Sequence, residues 1–170
     1  MSSNTATLFF ALWPDRRLRS ELVSVQQRLN ARGKPVEAEL LHMTLAYLGP
    51  ISHERIPDLE RVAEDLVMPD CGLVLDRIGW FSRARVSWLG SSEDPLQLGE
   101  FRHSLLHGIK RLNVTPDARP WKPHITLYRD LRMLPGKIEF KPLEWAPCQF
   151  CLVESIRSEN LVRYRKIGRW

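Results

Sequence analysis

The chain has 170 residues, 44% of them hydrophobic and 26% charged, and carries a net charge of +5. That length suits one domain spanning residues 1–170, with enough buried surface to need no disulfide or metal staple. The composition excludes a disordered, collagenous or coiled-coil chain, and no apolar stretch is long enough to span a bilayer. The amino-terminal Met-Ser-Ser-Asn-Thr-Ala-Thr lacks the basic and apolar regions of an export signal, so a cytoplasmic protein is expected. A pI near 9.4 favours an anionic partner, although a basic solvated surface would give the same number.

Leu8 to Leu12 reads as a strand buried on both faces. Pro14 and Asp15 open a helix whose stripe is Leu18, Leu22, Val25 and Leu29, and Arg32-Gly33-Lys34-Pro35 stops it. Leu41 to Leu48 is a strand ended by Gly49-Pro50. A second helix follows, with Pro57 near its start and Ile56, Leu59, Val62, Ala63 and Leu66 as its apolar face. Leu73 to Phe81 and Arg85 to Leu89 read as paired strands. Ser91 to Pro95 starts a third helix that buries Leu98, Phe101, Leu105, Ile109 and Leu112. Ile125 to Tyr128 is a strand, and Ile138 to Ile167 holds two or three more.

The order of elements repeats. Strand, turn, long helix and basic Pro-containing loop lead to Leu41-His42-Met43-Thr44-Leu45, and again to Pro123-His124-Ile125-Thr126-Leu127. The expected fold is therefore α+β and bilobal: a pseudo-two-fold duplicated unit, with antiparallel sheets lining a central cleft and helices on the outer faces.

His-x-Thr is rare by chance in a chain with five histidines and five threonines, yet it occurs twice in matching context. Strand period puts His42 and Thr44 on one face and Met43 and Leu45 in the core, and treats His124 and Thr126 alike. Two lobes facing across a cleft would bring two imidazoles and two hydroxyls together. One imidazole can take a proton from a nucleophile while the other, charged, gives one to a leaving oxygen. The threonine hydroxyls can hold non-bridging phosphate oxygens, with Arg129 the nearest added charge. A strained cyclic phosphate needs no metal and no cofactor. The residues alone do not say which histidine is acid and which is base.

Other side chains draw bland readings. Cys148 and Cys151 sit three apart on an expected strand, which turns their sulfurs to opposite faces, so both are read as buried free thiols. His103 and His107 are read as a solvated helix face, and His53 as surface. Trp80, Phe81 and Trp121 are the better base-stacking candidates, and Arg83 and Arg85 could form a basic lip for an RNA end.

Leu41-His42-Met43-Thr44-Leu45-Ala46-Tyr47-Leu48-Gly49 and Pro123-His124-Ile125-Thr126-Leu127-Tyr128-Arg129-Asp130 resemble the paired H-x-T-x motifs of the two-histidine (2H) phosphoesterases. Within them the chain is similar to the RNA 2′,3′-cyclic phosphodiesterases, historically called 2′-5′ RNA ligases. The likeness extends to Leu8-Phe9-Phe10-Ala11, Arg85 to Gly90 and Arg163-Tyr164. It implies hydrolysis of a 2′,3′-cyclic phosphate to a 2′-phosphate, with His42 as proton donor to the departing 3′-oxygen and His124 as acceptor from water. The implied partner is RNA with a 2′,3′-cyclic phosphate end, or a cyclic nucleotide. A monomer with no obligate protein partner is expected. Ligation through a 2′-5′ linkage, a non-catalytic RNA-binding module and a metal-dependent hydrolase remain the rival readings.

Overall fold

A computed structural model describes residues 4–117, 119–133, 135–158 and 161–170. Residues 1–3 of the stretch read for an export signal, and residues 159–160 of the tail, therefore lie outside the described residues. The strands are β1 (Thr5–Leu12), β2 (Lys34–Pro35), β3 (Met43–Ser52), β4 (Leu73–Leu75), β5 (Arg77–Phe81), β6 (Val86–Gly90), β7 (His124–Arg129), β8 (Leu143–Trp145), β9 (Phe150–Ser158) and β10 (Leu161–Arg169). The helices are α1 (Arg16–Leu29), α2 (Ile56–Glu64) and α3 (Leu96–Arg111). None of them is long and apolar enough to cross a membrane.

The expected α+β architecture holds, with one refinement. The two halves share a single eight-stranded sheet in the order β10-β9-β1-β3-β7-β6-β5, with β2 added beside β7. The halves meet between β3 and β7 through one antiparallel pair, Met43 opposite Ile125. The strands next to that seam are arranged twice: β1 flanks β3 as β6 flanks β7.

Each face of the sheet has its own packing. Leu8, Phe10, Leu12, Met43, Leu45, Leu89, Ile125 and Leu127 join the main core with the stripes of α1 and α3. In α1, Leu18, Leu22, Val25 and Leu29 are buried as the four-three-four spacing predicts, each apolar side chain worth about 1.5–3 kcal/mol. Asp15 caps that helix, its carboxylate accepting from the Leu18 amide at 2.8 Å. The opposite face carries a smaller cluster of Phe9, Ala11, Cys151 and Val153, with Trp13 and Tyr164 against it. That second face lines the cleft.

Several boundaries differ from the sequence reading. Gly49-Pro50 does not end β3, which runs on to Ser52; Pro50 stays paired with Thr7, and Gly49 takes a positive φ of 74°. The single strand expected from Leu73 to Phe81 breaks at Asp76. There β4 leaves to pair with β8, and the Asp76 carboxylate accepts from the Ser92 amide and hydroxyl at 2.7 and 2.6 Å. Cys148 is exposed rather than buried because β9 begins only at Phe150, beyond it; Cys71 and Cys151 are buried, and all three are free.

Candidate active site

Both motifs lie along the seam. Continuing the Met43–Ile125 register by one residue sets His42 opposite Thr126 and Thr44 opposite His124. Directly opposed side chains of an antiparallel pair lie roughly 5 Å apart at Cβ, and diagonal ones roughly 7–8 Å. The two imidazoles are thus diagonal neighbours, and the charge of His124 is felt at His42. Met43 and Ile125, between them in each motif, are buried.

The histidines are held alike. His42 Nδ1 lies 2.6 Å from the Leu40 carbonyl oxygen, and His124 Nδ1 lies 2.6 Å from that of Lys122, two residues upstream in each case. A ring nitrogen at that distance from a carbonyl must carry the proton. Each imidazole is therefore the Nδ1–H tautomer, with the Nε2 lone pair turned to the cleft. Burial pushes His42 down from 6.5 to about 4, with Arg129 and His124 adding to the effect and the Leu40 hydrogen bond opposing it. Burial also lowers His124, reinforced by Lys122 and Arg129 and opposed by its own backbone hydrogen bond. At neutral pH both imidazoles are uncharged.

A bulge at the fourth residue of each motif explains the position of Arg129. Between β6 and β7 the pairing steps from Trp88–Thr126 to Ser87–Tyr128, leaving Leu127 extra. Between β1 and β3 it steps from Ala11–Thr44 to Phe10–Ala46, leaving Leu45 extra. Strict alternation would send Arg129 into the core with Ile125 and Leu127. The extra residue instead turns Tyr128 inward, where its hydroxyl donates to the Gln26 carbonyl at 2.9 Å. Arg129 returns to the cleft face, where its charge bears on both imidazoles.

Each bulge turns a carbonyl toward a helix, which supplies a side-chain donor; the Leu127 oxygen also accepts from the Val36 amide at 2.9 Å. The buried Gln26 amide donates to the Leu127 oxygen at 2.7 Å, and Arg102 Nε donates to the Leu45 oxygen at 2.7 Å. Neither residue stands out in the sequence, because a buried polar partner 101 positions away leaves no periodic mark.

Aromatic walls complete the site. His42 stacks on Trp13, with centroids 4.9 Å apart at 14°, and meets Phe9 and Tyr164 at 5.2 Å each. His124 meets the Phe81 edge at 5.1 Å and Trp88 at 6.0 Å. Trp88 lies across Gly79, where an added Cβ would sit 2.0 Å from the indole, so only glycine fits beneath it. Of the three stacking candidates, Phe81 reaches the site. Trp121 is structural, donating to the Thr44 carbonyl at 3.0 Å, and Trp80 has no ring contact with either histidine. Trp13, Tyr164 and Trp88 are not among the three stacking candidates of the sequence; their ring contacts with the histidines emerge only from the fold.

Arg83 and Arg85 are exposed on the β5–β6 turn, with Arg85 at a φ of 56°. His103 and His107 are exposed on the outer side, lining a cavity of about 680 Å³ between α2 and α3, away from the motifs. Among the described residues no three His, Cys, Asp or Glu side chains converge as a cation shell would. The site can shuttle protons between two facing imidazoles above hydroxyls and a guanidinium, an arrangement fitted to an anionic phosphorus centre.

The profile of the 2′-5′ RNA ligase superfamily matches residues 14–159. The chain is 32% identical to an RNA 2′,3′-cyclic phosphodiesterase of Escherichia coli (strain K12), over 99% of its own length and 97% of the relative's. It is 29% identical to one of Thermus thermophilus, over 87% and 81%. Among solved structures it superposes on E. coli LigT complexed with 3′-AMP with a TM-score of 0.85 and 31% identity, covering 98% and 97% of the two chains.

Proposed function

The chain belongs to the 2′-5′ RNA ligase superfamily, and from that premise we infer that it is a hydrolase, an RNA 2′,3′-cyclic phosphodiesterase, working by two-histidine acid–base catalysis. The carrying observation is the matched pair of Nδ1–H imidazoles, each locked by a carbonyl two residues upstream. Both Nε2 atoms are left to exchange protons with a bound phosphate.

The cyclic phosphate sits over the seam. His124 Nε2 takes a proton from water as its oxygen bonds to phosphorus. The bond from phosphorus to the 3′-oxygen breaks, and that oxygen takes a proton from charged His42, leaving a 2′-phosphate and a free 3′-hydroxyl. Thr44, Thr126 and Arg129 hold the non-bridging oxygens as negative charge gathers on them. Burial and the Arg129 field hold His42 neutral near pH 7, so the substrate's own anion must charge it by offsetting them. The protein works as a cytoplasmic monomer without metal.

The test uses EDTA-treated protein and a short RNA ending in a 2′,3′-cyclic phosphate, with the product end identified. Conversion to a 2′-phosphate at an undiminished rate is the expected result. A folded protein that leaves the end untouched, or works only with added metal, overturns the reading.

A further inference from the structure

The His42 wall carries a group of charges that the reaction above does not use. Trp13 stacks on His42 and also carries the Lys166 ammonium, 4.5 Å from the indole centroid. Lys166 is therefore one indole from the reacting phosphate, no farther from the His42 ring than those two contacts laid end to end. Strand pairing sets Lys166 opposite Val153 and Arg169 opposite Cys151. Val153 and Cys151 belong to the small cluster on the cleft face, so both cations stand on that face. Arg169 also bears on the Cys151 thiol, working against the burial that pushes it up.

Arg19, from the first turn of α1, completes the group. Burial lowers the Lys166 ammonium, Cys151 works against it, and the fields of Arg169 and Arg19 lower it further. The Nε of Arg19 is buried with no hydrogen-bond partner. Among the described residues none of the three is ion-paired with a carboxylate. The ion pairs instead engage Arg17, Lys34, Arg55, Arg61, Arg119 and Arg165. Arg165 neighbours Lys166 in sequence but points to the other face, where Glu154 holds it at 2.6 Å. Three mutually repelling cations beside an aromatic wall, with no carboxylate paired to them among the described residues, make a place for an anion.

That anion is distinct from the one over the seam, which already has two imidazoles, two hydroxyls and Arg129. In RNA the next negative group beyond the cyclic phosphate is the phosphate on the 5′-oxygen of the terminal nucleotide. His42 faces the 3′-oxygen, which stays on the ribose when its bond to phosphorus breaks, so the ribose and its 5′-oxygen lie on the Trp13 side. We propose that Arg19, Lys166 and Arg169 form a second phosphate subsite that takes this 5′-phosphate. The enzyme thereby selects an RNA end over a lone nucleoside cyclic phosphate. The inference rests on the function proposed above.

The experiment compares kcat/KM for a nucleoside 2′,3′-cyclic phosphate with and without a 5′-phosphate. The proteins are the wild type, Lys166→Met, Lys166→Met with Arg169→Met, and Lys166→Arg. The wild type should favour the 5′-phosphorylated substrate by about tenfold or more, the usual worth of a charge-assisted contact. The ratio should fall toward one in the double variant, fall part-way in Lys166→Met and be kept in Lys166→Arg. The KM of the phosphorylated substrate should also rise more steeply with salt in the wild type than in the double variant. A wild-type ratio near one, or a ratio that survives the double substitution in folded protein, overturns the subsite. Failure of the wild type on both substrates overturns the function and the subsite with it.

Discussion

The His42 half and the His124 half share a backbone plan and differ in their walls. Both place an Nδ1–H on a carbonyl two residues back, both bulge at the motif's fourth residue, and both satisfy the bulged carbonyl from a helix. His42, however, is enclosed by Phe9, Trp13 and Tyr164, whereas His124 meets only Phe81 and Trp88. Lys166 lies over Trp13 on one side and Lys122 lies over Trp88, 4.4 Å away, on the other. Duplication has conserved the device that aims an imidazole, and divergence has changed what each imidazole faces. The enclosed side fits a nucleoside, and the more open side fits water.

The largest effect expected from breaking this pairing is that of either histidine. His42→Ala and His124→Ala should each lower kcat by about 10²–10⁴ through loss of proton transfer, with circular dichroism unchanged. Equal activity in either variant would remove that histidine from the chemistry.

Arg129 is the one charge common to both halves. Arg129→Met should lower kcat/KM by roughly ten- to a hundredfold through one lost charge-assisted contact. Its charge depresses both imidazoles, so the bell-shaped pH profile of kcat/KM should also move to higher pH. A rate loss with no movement of the profile would place Arg129 away from the histidines.

Gln26→Ala strips the side-chain donor from the bulged Leu127 carbonyl without touching the substrate. Chemical denaturation should show a loss of about 0.5–1.5 kcal/mol, the usual net worth of one hydrogen bond, because the Leu127 oxygen keeps its bond from the Val36 amide. Activity should fall with it if the bulge aims Arg129. Unchanged stability would mean that the bulge holds itself.

A further effect is on the pH dependence of stability. His42 is lowered from 6.5 to about 4, so the unfolded chain binds its proton before the folded one does as pH falls. Its contribution is complete above about pH 6.5 and is lost toward pH 4, by up to about 3 kcal/mol. Denaturation of wild type and His42→Ala across that range should show a shallower acid loss in the variant. Parallel curves would contradict the burial of this imidazole.

The repeated order of elements and the two His-x-Thr strands were legible because alternation and helical stripes write themselves into the spacing of apolar residues. The bulges were not. An extra Leu in a strand looks like any other Leu, and only the pairing partner shows that Leu45 and Leu127 are surplus. Arg129 was noticed for its nearness to the motif, yet alternation alone would have buried it. Gln26, Arg102 and the Trp88–Gly79 contact depend on approaches between distant segments, which no local pattern records. Asp76 broke an expected strand because its carboxylate is engaged by Ser92, again a tertiary event.

The division of labour between the two histidines is tested most directly by changing the leaving group. A cyclic substrate with sulfur in place of the 3′-oxygen leaves as a thiolate that needs no proton. On this substrate His42→Ala should recover to within about tenfold of wild type, while His124→Ala should stay impaired by about 10²–10⁴, having lost the base that activates water. Recovery of His124→Ala instead, or of both variants alike, would contradict the assignment of acid to the enclosed side and base to the open one.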